Sequence, residues 1–288
     1  MKRILTLFLL LLFAACAAGA EESIIIDKTR GENADFAFDE DAQLLEIFFP
    51  DIYGCDAAIV RCGEYSMLID CAGSQWPEVK SLLDQLNMTE LTYALNSHPD
   101  RDHIGGFAQV LKDIPAGEFL LGFPEYDPSG SAVSFRVYDA LHELSIPLRQ
   151  VQNGDTIAFG DVSVTVYQCT GESLSSTNDK SVMLMIQYGE RRFFFAGDIQ
   201  IPAETQLIEN AAALDLKTDI LKYPHHSYMP LQEAFLEMLS PSYAICTCGN
   251  YTKGLKQMDE VGIPYLITAT RQIRLATDGR VWTIETLR

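Results

Sequence analysis

Short apolar runs that end in a histidine or an aspartate recur along this chain, and they constrain its fold more than any other feature. "SMLID" ends at Asp70, "LTYALNS" runs into His98, "RRFFFAG" delivers Asp198, and "DILKYP" delivers His225 and His226. Runs of β-branched and aromatic residues punctuated by Gly, Asp or Pro read as strands. Strand ends gathered on one sheet edge let a rigid scaffold aim several side chains at one point. Four of the five histidines occupy such ends. The fifth, His142, lies in "RVYDALHEL", an amphipathic helix, and is expected to have no functional role.

The pattern between these ends sets the architecture. From Leu44 onward "LLEIFF", "AAIVRC" and "SMLID" read as strands, followed by a helix in "PEVKSLLDQLN", where Pro77 suits the first turn. "LTYALN" and "EFLLGF" are strands, and "GGFAQVLKDI" and "SAVSFRVYDALHELS" are helices. The second half repeats the grammar: "DTIAFG", "VSVTVYQ", "SVMLMIQYG" and "RRFFFAGD" are strands at Gly or Asp turns, and helices alternate with strands beyond them. No linker rich in Gly, Ser or Pro divides the halves, so residues 43–288 are expected to form one α/β domain. Two sheets face to face with helices outside would bury both faces of each sheet, which gives an αββα four-layer sandwich.

The first residues read differently. "MKR" is positive, "ILTLFLLLLFAA" is too short to span a bilayer comfortably, and "AGA" before "EES" fits a small-x-small cleavage site. Residues 1–20 are therefore expected to be a secretory signal peptide. "FAAC" ending at Cys16 offers a second reading, a bacterial lipoprotein signal over residues 1–15 with a lipid anchor at Cys16. Either one implies export. Residues 21–42 are acidic and weakly patterned, and read as an N-terminal lead-in.

The formal charge is −19; residues 1–20 carry only Lys2 and Arg3, so the remainder has 19 basic and 40 acidic residues, or −21. Such a chain repels a polyanion over most of its surface, and long nucleic acid is disfavoured as a partner. Beyond Cys16 there are six cysteines. A hairpin turning near Gly63–Glu64 would bring Cys55 and Cys71 close, though disulfide pairing stays open on sequence alone. There is no pair of CxxC motifs for a zinc ribbon.

"LNSHPDRDHIGG" packs His98, Asp100, Asp102 and His103 into six positions ahead of two glycines. In extended or tightly turning backbone, residues two apart point the same way. His98 and Asp100 can then face one cation, and Asp102 and His103 another. Imidazole and carboxylate suit Zn, Mn or Fe, and Asp198 from another strand can bridge two ions through its two oxygens. Two such cations can hold a shared hydroxide and stabilise attacking and leaving oxygens. Spacing does not settle which of His225 and His226 is a ligand; we expect His225 to bind metal and His226 to face the substrate. Asp70 is expected to support the ligands from behind.

"HPDRDHIGG" resembles the HxHxDH signature of the metallo-β-lactamase superfamily, and in particular the hydrolase domain of ComEC-type competence proteins, where Asp often takes the second His position. Further segments are similar in the same order: "FPDIYGCDAAIV", "SMLIDCAG", "NGDTIAFGDVSVTVYQ", "TNDKSVMLMIQYGERRFFFAGDI" and "LKYPHHSYMP". The resemblance implies the αββα sandwich and two divalent metal ions, Zn or Mn. It implies His98 and Asp100 at one ion, Asp102 and His103 at the other, Asp198 between them and His225 completing the set. It also implies hydrolysis of a phosphodiester or related phosphate ester through a metal-bound hydroxide. Asp100, Asp102 and His226 are the candidate catalytic groups. The chain departs from the wider superfamily in three places. "GESLSSTNDKS" holds no histidine, so Asn178 or water would complete the first ion's shell. Ser227 stands where Gly is usual, which would alter the access loop, and "CGNYTKG" lacks a His-Pro. A lactonase or β-lactamase type hydrolase is one alternative, and a surface binding module with a decayed metal site is another. Export and acidity favour a small or surface-attached phosphoester.

Overall fold

The strand-and-helix halves become two sheets. The computed structural model describes residues 24–287 except residues 32 and 34, so the signal segment and Cys16 lie outside the described residues. In chain order the strands of the first half are β1 (Ile24–Asp27), β2 (Leu45–Phe49), β3 (Ala58–Cys62), β4 (Tyr65–Ile69), β5 (Leu91–Asn96), β6 (Ala116–Leu121) and β7 (Leu148–Gln150). The second half supplies β8 (Thr156–Phe159), β9 (Val162–Gln168), β10 (Val182–Tyr188), β11 (Arg191–Phe195), β12 (Ile220–Lys222), β13 (Tyr243–Cys246) and β14 (Tyr265–Ile267). Finally β15 (Gln272–Thr277) and β16 (Val281–Leu287) return to the first sheet. One sheet runs β1-β16-β15-β2-β3-β4-β5-β6-β7 and the other β14-β13-β12-β11-β10-β9-β8.

The helices are α1 (Trp76–Gln85), α2 (Arg101–Ile104), α3 (Phe107–Asp113), α4 (Ala132–Glu143), α5 (Ile201–Glu209), α6 (Glu233–Leu239) and α7 (Lys253–Val261). Their ends follow local chemistry. Ser131 and Ser134 form a capping box on α4, and Thr252 caps α7, which stops at Gly262 in the left-handed region.

Three apolar layers result. Between the sheets lie Ile47, Phe49, Val60, Phe193, Phe195, Ile220 and Trp282, all essentially inaccessible. Outside the first sheet, Val79, Leu82, Phe107, Val110 and Leu141 from α1, α3 and α4 cover Phe48, Ile59 and Phe119. Outside the second, Ala203, Leu207, Phe235 and Leu255 from α5, α6 and α7 cover Phe194, Leu221 and Ala244. Each such aliphatic or aromatic side chain contributes about 1.5–3 kcal/mol on burial, so the inner layer is the largest single source of stability. The Trp282 indole donates to Asp219 Oδ2 at 3.1 Å, a polar tie between the sheets.

The lead-in differs from the sequence expectation. The weakly patterned lead-in contains β1, which pairs in parallel with β16 at the sheet edge. Its Asp27 accepts from the buried Tyr243 hydroxyl at 2.8 Å, so part of residues 21–42 belongs to the sandwich. The six cysteines are all buried and free, with no bridge between Cys55 and Cys71. His142 sits on the surface of α4, paired with Glu125 at 2.6 Å. Among the described residues, no helix is long and apolar enough to cross a membrane.

Candidate metal centre

Sheet register gathers the polar strand ends. Ala58 pairs with Ile69, which places Asp56, before β3, beside Asp70, after β4. Parallel pairing of Ile69 with Leu95 carries β5 to the same edge, where His98 follows. On the facing sheet, Phe195 pairs with Lys222 and Lys222 with Ile245, so Asp198, His226 and Thr247 emerge together. A bond from Val182 N to Ser97 O at 2.8 Å joins the two edges.

Within "HPDRDHIGG", residues 101–104 wind into the short helix α2, so simple alternation of side chains does not hold there. The helical turn carries Asp102 and His103 inward together. One donor set is Asp102, His103, Asp198 and His226, each offering an atom within 4.8 Å of the others, and Asp56, Asp70 and His103 form another behind it. His103 Nε2 lies 3.1 Å from Asp198 Oδ2, and His226 Nε2 lies 3.4 Å from that oxygen and 3.2 Å from Asp102 Oδ2. His98 stands beside the set, its ring centroid 4.1 Å from that of His103 and its Nε2 3.8 Å from Asp100 Oδ2.

Three imidazoles share one construction. His103 Nδ1 bonds Asp70 Oδ2 at 2.8 Å. Ser97 Oγ donates to the same oxygen and so accepts from His98 Nδ1 at 3.0 Å. Thr247 Oγ1 donates to Asp56 Oδ1 and accepts from His226 Nδ1 at 3.1 Å. Each ring thus keeps a proton on Nδ1 and turns Nε2 to the centre, the atom a metal would take, as metal-binding histidines do. His98 Nε2, His103 Nε2 and Asp198 Oδ1 are buried and make no hydrogen bond. Buried polar atoms normally find partners, and a divalent cation would satisfy all three. The residues fit the metal.

Electrostatics agree. Burial, aided by the neighbouring His103, pushes His98 down to about 3, so it stays neutral. Burial opposes charge on His103 and His226, yet Asp198 with Asp70 or Asp56 outweighs it and raises both. Burial likewise opposes the Asp198 carboxylate, and the two histidines hold it well below the usual range. Without a cation the cluster therefore retains protons that a metal must displace.

Asp56 and Lys222 are the residues that sequence reading missed. They form a fully buried ion pair across the two sheet edges, and Lys222 Nζ also lies 3.9 Å from Asp198 Oδ1. The available signal was a lysine inside an apolar strand, "DILKYP", a rare placement for an unpaired charge.

Several expected roles change. His225 is outside the tight set: its Nδ1 accepts from Gln200 Nε2 at 2.9 Å and the ring is half-buried. His226 takes the metal-facing place expected of His225, because residues 225–227 all adopt left-handed backbone, with φ of 47°, 50° and 57°, which rotates the second ring inward. Both nitrogens of His226, the candidate catalytic group expected to face the substrate, are engaged within the cluster. Ser227 is buried and bonds His226 O and Thr252 Oγ1, so its side chain packs toward the start of α7. From the Asn-containing turn it is Thr177, one residue before Asn178, whose side chain reaches Asp100, at 2.9 Å. Asp100 and Asp102 have side chains 42% and 43% exposed, at the mouth. Asp70 stands behind His98 and His103, tied also to Asn96 Nδ2 at 3.1 Å.

A family model described as the metallo-beta-lactamase superfamily matches residues 51–249, more than half of the chain. ComE operon protein 3 of Bacillus subtilis (strain 168) is 26% identical over 163 residues, covering 56% of this chain and 20% of that one. The chain thus spans about a fifth of that relative's length. Among solved structures, the metallo-beta-lactamase fold protein YhfI from Bacillus subtilis superimposes with a TM-score of 0.52 at 12% identity, covering 77% of this chain and 96% of that one. Igni18, a metallo hydrolase from Ignicoccus hospitalis, gives 0.52 at 13% identity, covering 80% and 98%. The CmlA beta-hydroxylase E377D mutant gives 0.53 at 14% identity, covering 84% and 54%. With two helix-flanked sheets and inward-turned imidazole and carboxylate donors meeting at their common edge, this chain belongs to the metallo-beta-lactamase superfamily, whose fold holds divalent metal ions.

Proposed function

We propose that the protein is an exported metal-dependent hydrolase of a phosphodiester or related phosphate ester. The observation that carries the reading is the set of three buried atoms without a hydrogen bond, His98 Nε2, His103 Nε2 and Asp198 Oδ1, at the meeting of the sheet edges. His103, Asp198, His226 and Asp102 would hold one divalent ion, and His98 and Asp100, with Asp198 shared, a second. Bound Zn or Mn would act as Lewis acid and make water nucleophilic near neutral pH. The chain's own groups do the rest. Asp70 and Asp56, through Ser97 and Thr247, hold the imidazoles in one tautomer and orientation. The outer-facing Asp100, oriented by Thr177, is placed to handle a proton at the mouth. His225 takes the substrate-facing position.

Supporting the compartment are the apolar N-terminal run and the small-residue site before Glu21, with Cys16 as an alternative lipid anchor. A net charge of −19 favours a small or surface-attached phosphoester over long nucleic acid. The test is hydrolysis of bis(4-nitrophenyl) phosphate by the Mn- or Zn-loaded chain beside an Asp198→Asn variant, with a lactone and a β-lactam in the panel. Loss of at least about 100-fold in kcat/KM with reduced metal content is expected. Equal activity of variant and parent removes Asp198 from the reaction, and turnover of only the lactone or β-lactam overturns the phosphoester assignment.

A further inference from the structure

An apolar cleft of about 290 Å³ adjoins the donor set, and the chemistry above does not use it. Its walls include Ile199, Ile201, Pro224, His225, Met229 and Leu231. Two short segments build it. One runs on from Asp198 into α5, and the other flanks His226. Cleft and donors therefore share backbone, and the His225 ring in the wall lies 6.1 Å, centroid to centroid, from that of His226. Gln200 holds that ring in place at 2.9 Å.

The chemistry of the walls selects what can enter. Ile201 and Met229 are 53% and 49% exposed, and Tyr228, 47% exposed, extends the apolar rim over His225 and His226 at 5.6 and 5.5 Å. Large exposed apolar side chains clustered beside a polar centre mark a binding surface rather than ordinary surface. Among the described residues no lysine or arginine lines the cleft, so it offers nothing to a second phosphate, and the one acid there, Glu204, is buried and accepts from Gln232 N at 2.7 Å, which commits its carboxyl inward.

We propose that this cleft is a subsite for an uncharged alkyl or aryl substituent of the phosphoester cleaved at the neighbouring donors. It rests on the phosphoester reading and narrows the substrate to amphipathic phosphodiesters, with one apolar arm seated between α5 and the loop after His226. His225 marks the boundary between the reacting ester and that arm.

The test uses the metal-loaded full chain with methyl, butyl and hexyl 4-nitrophenyl phosphate. Each methylene that enters the cleft should raise kcat/KM about fourfold, until the space is filled. In an Ile201→Asp/Met229→Asp double variant that rise should flatten, while Val261→Asp, at an exposed position on α7, should keep it. If the parent hydrolyses all three esters equally well, the subsite is overturned and the phosphoester reading stands. If none is hydrolysed, calorimetric binding of butyl and hexyl phosphate decides. Hexyl phosphate at least about tenfold tighter in the parent but not in the double variant supports the subsite while the reaction assignment fails. Equal binding of both probes overturns the subsite too.

Discussion

The His226 ring uses both nitrogens, Nδ1 at Thr247 and Nε2 toward Asp198 and Asp102, whereas the His225 ring bonds Gln200 and borders an apolar wall. Adjacent residues in an ordinary strand would also point apart, so sequence shows that one of the pair turns inward but not which. The left-handed backbone at 225–227 makes the choice, and such backbone in non-glycine residues costs energy that surrounding structure must hold. His226→Ala is expected to weaken zinc binding by at least about 100-fold in a competition titration with a fluorescent chelator. His225→Ala should change it less than about threefold. The reverse order would return the ligand role to His225. Asp70 was legible as a polar strand end, and its partnership with two imidazoles needed the fold, because Ser97 relays the second contact.

At the level of elements, most strands and helices of residues 43–287 follow their local patterns because they have a face in an apolar layer; the three-residue β7, with no fully buried residue, has no such pattern. The four-residue β1 escaped that logic. An edge strand with a parallel partner at the far end of the chain leaves little periodicity to read. The metal loop escaped it too, since its two glycines are explained by packing and not by turn geometry. A Cβ on Gly106 would meet Cys71 O at 1.9 Å and Trp76 Cβ at 2.7 Å. That carbonyl belongs to the residue whose N–H bonds His103 O at 2.7 Å, so displacement there moves a ligand. Gly106→Ala is expected to lower stability by about 3 kcal/mol in urea unfolding and to weaken zinc binding in parallel. A stable variant with parental zinc affinity would show that the loop tolerates the shift.

For the molecule as a whole, the sandwich is closed at its functional edge by charge as well as by apolar packing. Asp56 comes from the first sheet, and Lys222 and Thr247 come from the second. A buried pair of this kind adds little net stability, but removal of one member strands the other. Lys222→Met alone should destabilise the metal-free chain by about 3–5 kcal/mol. Combined with Asp56→Asn, the loss should fall short of the sum of the single variants by more than about 1 kcal/mol. Strict additivity in urea unfolding would mean that the two charges act independently. Because Asp56 also steers His226 through Thr247, the same pair couples closure of the sandwich to orientation of a ligand.

Local chemistry carried in the chain decided that there would be apolar strands, that His or Asp would stand at their ends, and that the glycine-flanked loop would be rich in donors. These depend on a residue and its near neighbours. Which donors converge, the inward turn of His226, the salvage of Lys222 by Asp56 and the apolar cleft beside His225 depend on register between strands far apart in sequence. Register follows from burying both faces of two sheets at once, a condition on the whole chain that no single segment expresses.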